Sequence, residues 1–404
     1  MQITDPIRRT IFAIALCCSV ILLPSCAAPV ASVRAQPVPF DLALDLAVDD
    51  LIAQTQRLPA FMTNMESRIK LGTIVVDPLL DSSTGQQNAL TKRAEQRIIT
   101  RIASRFKQFD ILPLGVAELR QASYVLTGTL SPTGVEVSDR GQYRISLALA
   151  EVKSGLVVAQ AAARVNENNL DTNPAPFFRD SPVIAKDRVV EGYIRTAESK
   201  PGSSADAVYL ERLPTSALLT DAINAYNGDR IQDALTLYEA AAKRPDGQQM
   251  KVFNGLYLAH WRMGKREEAE NAFGMIVRLA FATNTLSVKF LFKPGSTDFV
   301  SDSRVSEPYP IWLRQIARVA AASNQCINVV GHTSRTGTEQ VNERLSLQRA
   351  VAVKGKLESE NPELAQRLRQ TGMGFRENVV GTGTDDLRDA LDRRVEFRIV
   401  RCDV

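Results

Sequence analysis

Histidine and tryptophan are scarce in this chain, with two of each among 404 residues. His260 and His332 stand far apart, and no spacing of histidine, cysteine and acidic residues composes a metal-ligand set. No nucleophile and base can be paired either. We therefore expect no catalytic residue, no metal and no cofactor, and a protein that acts by binding. Strong charge of one sign is also missing. Lys and Arg number 49 against 45 Asp and Glu, so no nucleic-acid footprint is expected. Beyond the N-terminus no apolar run is long enough to span a bilayer, and no glycine-rich phosphate cradle occurs. The length and the ordinary globular composition suit roughly two or three domains.

What is present begins at the N-terminus. Arg8 and Arg9 precede an apolar run from Ile11 to Leu23, followed by Leu23-Pro24-Ser25-Cys26. A basic start, a short apolar stretch and a small residue before a cut describe a secretory signal over residues 1–25. Cys26 after a small residue resembles a bacterial lipobox, which implies acylation there; cleavage nearby, at Ala27-Ala28, is the other reading. By the same resemblance, Ala27 in place of aspartate favours the outer membrane, with the protein on its periplasmic side. Cys17 and Cys18 leave with the signal, so Cys326 and Cys402 remain. Cys326 opens a strand expected at Ile327–Val330 and Cys402 closes one expected at Val395–Val400. If those strands pair antiparallel the two cysteines meet, and an oxidising compartment favours a disulfide; two buried thiols are the alternative.

The mature chain divides by pattern. Residues 26–66 read as a spacer rich in Ala, Pro and Val, then a short helix from Asp41 to Leu58. Residues 67–165 are α/β. Strands are expected at Leu71–Val76, Gln108–Pro113, Tyr124–Leu130, Gln142–Val152 and Leu156–Val165. A helix with a four-residue apolar stride (Leu90, Ala94, Ile98, Ile102, Phe106) lies between the first two. Asp77, Asp81 and Ser82-Ser83-Thr84-Gly85 read as a solvated strand-to-helix loop. Residues 166–214 are expected to form a structured linker in which Phe177 and Phe178 dock on a neighbour. Residues 215–283 are helical with an internal repeat: Ala234-Leu235 and Tyr238 recur as Ala269-Glu270 and Phe273, after Gly228 and Gly264. That period resembles the tetratricopeptide repeat, which implies a short helical module that carries a protein partner or holds domains at a fixed angle. From residue 286 to 404 a β-α-β-α-β-β order is expected. Its strands are Val288–Phe292, Ile327–Val330, one near Val379-Val380, and Val395–Val400; its helices are Pro308–Ser323 and Asn342–Leu357.

Two resemblances bear on function. Thr73-Ile74-Val75-Val76-Asp77-Pro78, Tyr124-Val125-Leu126-Thr127-Gly128-Thr129-Leu130 and Ser146-Leu147-Ala148-Leu149 with Lys153-Ser154-Gly155 resemble the curli-secretion lipoprotein fold, shared with lipoproteins that activate penicillin-binding proteins. Gly331-His332-Thr333-Ser334-Arg335-Thr336-Gly337, then Asn342-Glu343-Arg344-Leu345-Ser346 with Arg349-Ala350, then Asp392-Arg393-Arg394-Val395-Glu396 resemble the peptidoglycan-binding domain of the OmpA, Pal and MotB proteins. This second resemblance implies a site for the diaminopimelate of the peptidoglycan stem peptide. Arg349 matches the family arginine, whose planar fork suits a carboxylate, and Asn342 lies on the same helix face. Thr333 and Thr336 line the loop, and Arg393 or Arg394 matches the family's paired arginines. Ser334 departs from the pattern, because the family carries an aspartate there to meet the ligand ammonium; Glu339 or Asp385 is a candidate to supply that charge. His332 reads as a packed, hydrogen-bonded side chain. The expected fold class is thus multidomain, α/β and α, and the expected function is an outer-membrane lipoprotein tethered to peptidoglycan that presents interaction modules. Regulation or assembly of a cell-envelope machine is the alternative.

Overall fold

The computed structural model describes residues 36–55, 71–133, 141–284, 286–293, 295–323, 325–381, 383 and 388–402. The expected signal, Cys26, most of the spacer and Asp385 lie outside them. No helix among the described residues is long and apolar enough to cross a membrane.

Helix α1 (Phe40–Thr55) buries Phe40, Ala43, Leu44, Ala47, Val48, Leu51 and Ile52, a stripe set by the helical period. Then follow β1 (Gly72–Val76), β2 (Leu80–Asp81), α2 (Ala89–Arg105), β3 (Phe109–Pro113), α3 (Val116–Leu119), β4 (Tyr124–Pro132), β5 (Gln142–Glu151) and β6 (Val157–Asn166). Asn88 starts α2 through a capping box with Thr91. The sheet order is β3-β1-β4-β5-β6, with β2 paired to β4. Strands β3, β1 and β4 are parallel, whereas β4-β5 and β5-β6 are antiparallel.

Period-two alternation sends the strand side chains to two separate cores. Ile74, Val76, Leu126 and Leu147 face α1 and α2, while Val75, Val125, Ala148 and Ala150 face the opposite layer. Along the outside of α1 and α2 runs a ladder of ion pairs: Asp41–Arg93 at 2.7 Å, Asp45–Arg97 at 2.8 Å and Asp49–Arg101 at 2.6 Å. Being half-exposed, each contributes at most about 1 kcal/mol; their uniform register fixes how the two helices slide.

The second face of that sheet is covered by residues expected as linker. Here lie α5 (Arg188–Glu198) and the first part of α6 (Ala207–Asn227), which runs through Pro214, whereas α4 (Pro176–Asp180) packs on α6 and the helices after it. Tyr193 of α5 and Tyr209, Leu213 and Ala217 of α6 close on the sheet. Phe177 and Phe178 are buried, but in the core formed by α6 with α7 (Ile231–Ala242), α8 (Met250–Arg262) and α9 (Arg266–Thr283). In this helical region the repeat extends to the backbone. Asp229 and Gly264, thirty-five positions apart, both take a left-handed conformation, with φ of 59° and 74°.

The C-terminal region comprises β7 (Leu286–Val288), α10 (Ser303–Ser306), α11 (Tyr309–Ala322), β8 (Cys326–Gly331), α12 (Glu339–Glu360), β9 (Leu368–Gly372) and β10 (Val395–Val400), in the sheet order β7-β10-β8-β9. Two expected strands move. The first is Leu286–Val288 rather than Val288–Phe292, and the third is β9 rather than a strand near Val379-Val380. Strand β9 is a polar edge strand, parallel to β8, so it lacks the apolar alternation by which strands are read.

One core runs from the helical region into this sheet. Trp312 of α11 donates to the Tyr257 hydroxyl of α8 at 2.9 Å and stacks on Phe273 of α9 at 5.6 Å between ring centroids. Arg314 and Gln315 both reach Glu270. Residues 182–184 pair with β7, and the Lys289 ammonium donates to the carbonyls of Phe178 and Arg179, each at 3.0 Å.

Two predictions follow from this seam. Trp312→Ala removes a buried indole shared by both regions and should cost about 3–5 kcal/mol. Urea unfolding followed by far-UV circular dichroism should show helix and sheet lost together at a lower midpoint; a helical transition that stays where it was would mean the two regions are uncoupled. Burial also pushes Lys289 from 10.5 down to about 7. Between those values the unfolded chain holds a proton that the folded chain has released, so Lys289 makes stability rise with pH across that window. Lys289→Met should remove this rise, seen as a wild-type-minus-variant stability difference that grows from pH 7 to pH 9.

Candidate functional site

The site begins with two glycines in register at the ends of β8 and β9, Gly331 opposite Gly372. A Cβ on Gly331 would lie 2.1 Å from the Ser346 carbonyl oxygen, and one on Gly372 would lie 2.5 Å from the Leu347 nitrogen. Only glycine lets the α12 backbone come this close. The buried face of α12 carries Asn342, Ser346, Arg349, Ala350, Val353 and Leu357. Leu345 is half-buried; Ser346 and Ala350 take the contact because nothing larger fits.

Two polar residues of that face each hold a loop. Asn342 donates from Nδ2 to the carbonyls of Thr336 at 2.7 Å and Thr338 at 3.1 Å, which fixes residues 333–338. Thr338 caps the helix, so Asn342 is a loop anchor, not the cap. Arg349, one face-repeat further, donates from Nε to the Ser296 carbonyl at 3.1 Å and from Nη2 to the Lys293 carbonyl at 3.3 Å. Its guanidinium carbon sits 4.7 Å from the Phe292 ring centre. Arg349 is 3% exposed.

In the loop, the Thr333 N–H donates to the Gly374 carbonyl at 2.9 Å, and its buried hydroxyl has no partner among the described residues. Ser334 Oγ lies 3.3 Å from Thr336 Oγ1. Ser334 is buried, whereas Thr336 is exposed. Glu339, an expected source of negative charge, is exposed and lies 3.8 Å from Arg376 instead.

The third block plays several roles. Asp392 is fully buried, and its carboxylate accepts N–H groups from Val379, Val380 and Gly381 at 2.6, 3.0 and 2.7 Å. Those three N–H groups are therefore gathered on one side chain and are not in a strand. Arg393 is half-buried and its N–H donates to Asp389. Arg394 turns inward, to Glu396 at 2.8 Å and the Glu377 carbonyl at 3.0 Å. Glu396 also holds Arg398 at 2.6 Å and lies 3.6 Å from His332 Nε2. Although burial opposes it, His332 and the two arginines hold Glu396 well below the usual carboxylate range. Burial pushes His332 down, and both its ring nitrogens lack hydrogen-bond partners among the described residues; at 3.6 Å the Glu396 contact is too long for one.

His332, Glu377 and Glu396 lie close enough together to hold a cation. That place is taken. The Arg398 guanidinium binds the same Oε2 atoms of Glu377 and Glu396 that face the imidazole. Cys326 and Cys402 form a disulfide with 5.2 Å between Cα atoms, which ties the start of β8 to the chain just past β10.

Sequence reasoning passed over Glu377, Arg398, Ser346, Gly372 and the carbonyls of residues 293 and 296. Alternation of Glu396 and Arg398 on one face of β10 was the available signal for Arg398. The carbonyls gave none, since any residue supplies one.

With this geometry in hand, the comparisons with known proteins are specific to one region. Residues 291–390 match the OmpA family, and the C-terminal region is OmpA-like. Outer membrane protein Omp38 of Acinetobacter baumannii is 32% identical over 129 residues, which is 32% of this chain and 32% of that protein. The chain thus spans about a third of the length of this curated relative. Two solved structures are similar over the same share. The peptidoglycan-associated lipoprotein from Burkholderia pseudomallei has 23% identity, covers 28% of this chain and 89% of its own, and gives a TM-score of 0.24. The periplasmic domain of Helicobacter pylori MotB has 19% identity, covers 29% and 76%, and gives 0.24.

Asp392→Ala should release residues 379–381 at a cost of about 2 kcal/mol or more, because three N–H groups lose a charged acceptor. Hydrogen exchange at Val379, Val380 and Gly381 is the readout: protection should fall there first, with β8 and β10 amides still protected.

Proposed function

We propose that the protein is an outer-membrane lipoprotein, anchored at Cys26 on the periplasmic side, that grips peptidoglycan through its OmpA-like region. The observation that carries this reading is the α12 face, where Asn342 and Arg349 hold two loops side by side within the residues that match the OmpA family. The contact residues are Thr333, Ser334, Thr336, Asn342, Arg349 and Arg393, with the stem peptide as ligand. Arg349 has a planar fork of donors, holds the loop carbonyls of Lys293 and Ser296, and is stacked on Phe292. A guanidinium fixed in this way meets a carboxylate without further loss of side-chain entropy. Ser334 offers a hydroxyl where the resembling family has a carboxylate, so the ligand ammonium gains a neutral partner.

The helical region and the α/β domain then present surfaces for protein partners at a distance set by the shared core. In this site Arg394 is paired with Glu396, while Asp392 and Arg349 are held by backbone groups of the loops.

Sedimentation with purified sacculi tests the proposal. Wild type should co-sediment, and Arg349→Ala should weaken binding at least about tenfold. Because Arg349 also holds residues 293 and 296, Ser334→Asp is the second arm. It should bind about tenfold tighter, while melting at lower temperature without sacculi, since a carboxylate replaces a buried hydroxyl. Two folded variants that sediment like wild type would place the grip elsewhere.

A further inference from the structure

A cavity with polar groups in a largely apolar wall lies far along the chain from the OmpA-like region, at the carboxyl end of β1. Strand β1 sits between β3 and β4, both parallel to it. The connection to β3 crosses the face covered by α1 and α2, and the connection to β4 passes through α3 on the other face. In open parallel sheets the crevice at such a switch point is the usual place for a ligand.

The cavity there has a volume of about 50 Å³, room for roughly four waters or a ligand of similar size. Three polar side chains enter it from three separate elements without meeting each other. Asp77, directly after β1, is 7% exposed and accepts the Tyr209 hydroxyl at 2.7 Å. Gln87, from the loop before α2, is 6% exposed, and its amide has no hydrogen bond among the described residues. Lys251, from α8, lines the same space with no hydrogen bond or ion pair among the described residues. Asp187 stands nearby, but its carboxylate is engaged: Oδ1 takes the N–H groups of Val189 and Val190, and Oδ2 takes that of Met250.

Buried polar groups are almost always bonded. Gln87 is the buried one without a side-chain partner; with the Asp77 carboxylate and the half-buried Lys251 ammonium around the same small space, the lining matches a ligand with the opposite arrangement. Burial pushes Asp77 up to about 6 and Lys251 down; the Tyr209 hydroxyl and Lys251 oppose the first shift, and Asp187 and Asp77 oppose the second.

We propose that this cavity binds the head of a small zwitterion, a free amino acid with a minimal side chain, its ammonium on Asp77 and its carboxylate on Lys251 and the Gln87 amide. Anions alone satisfy only Lys251, and cations alone satisfy only Asp77. The proposal does not rest on the wall-binding reading, since Asp77, Gln87 and Lys251 all lie outside the residues that match the OmpA family.

Isothermal titration of the purified chain with glycine, L-alanine and D-alanine tests it, with acetate and methylammonium as single-charge controls. At least one zwitterion should bind one to one with Kd below about 1 mM, and both controls should bind at least about tenfold more weakly. Gln87→Leu and Lys251→Met should each weaken that binding at least about tenfold, with sacculus sedimentation unchanged. Gln87→Leu guards against misfolding, because it removes no charge and breaks no existing bond. The proposal is overturned if no zwitterion binds, if acetate binds as tightly as glycine, or if folded Gln87→Leu binds like wild type.

Discussion

Helix α6 has to satisfy two cores at once. Its first half, with Tyr209, Leu213 and Ala217, seals one face of the α/β sheet; its second half, with Leu219, Ala222, Ile223 and Tyr226, opens the helical core that continues into the C-terminal sheet. Pro214 stands within the first half. A proline inside a helix costs about 3 kcal/mol, and its neighbours Leu213 and Thr215 are both buried. Burial on both sides offsets the lost hydrogen bond. Because one helix belongs to both cores, the angle between the α/β domain and the helical region is set by side-chain packing and not by a hinge.

The same logic governs the OmpA-like region at smaller scale. Glycines at the ends of β8 and β9 lower α12 onto the sheet, and this closeness puts Asn342 and Arg349 within reach of backbone carbonyls on two loops. The loops are thus shaped before any ligand arrives. Internal ion pairs do comparable work beneath them: Arg394 and Arg398 neutralise Glu396, and Asp392 gathers three N–H groups. Partners for buried charges matter more here than their number, since an unpaired one costs several kcal/mol.

Much of this was legible in the residues, and the exceptions have physical causes. The face shared by Asn342 and Arg349 follows from helical period alone. So does the stripe of Leu90, Ala94, Ile98 and Ile102, now seen against α1. Strand β9 was illegible because Leu368-Arg369-Gln370-Thr371-Gly372 is an edge strand with polar residues on its open side, whereas Val379-Val380 has strand composition but donates to Asp392. Residues 166–214 read as linker because Asn, Pro and Ser are frequent, although Asp187 and Asp206 cap α5 and α6. Polar residues at helix starts look like loop residues when counted by composition. Carbonyl partners of Arg349 and the meeting of Asp77, Gln87 and Lys251 depend on tertiary placement, which periodicity does not carry.

A continuous core from α6 to β10 also bears on what a wall contact would transmit. If the OmpA-like region were joined by a flexible linker, force on it would straighten the linker and leave the α/β domain free to turn. Here force on α12 passes through β8 and α11 to Trp312, from there to α8 and α9, and then to α6. Lys251 lies on α8, so the cavity at Asp77 is walled partly by the element that receives this force. A small shift of α8 would change the spacing of Lys251 and Asp77 before it disturbed either sheet, because the two meet across open space instead of through a bond.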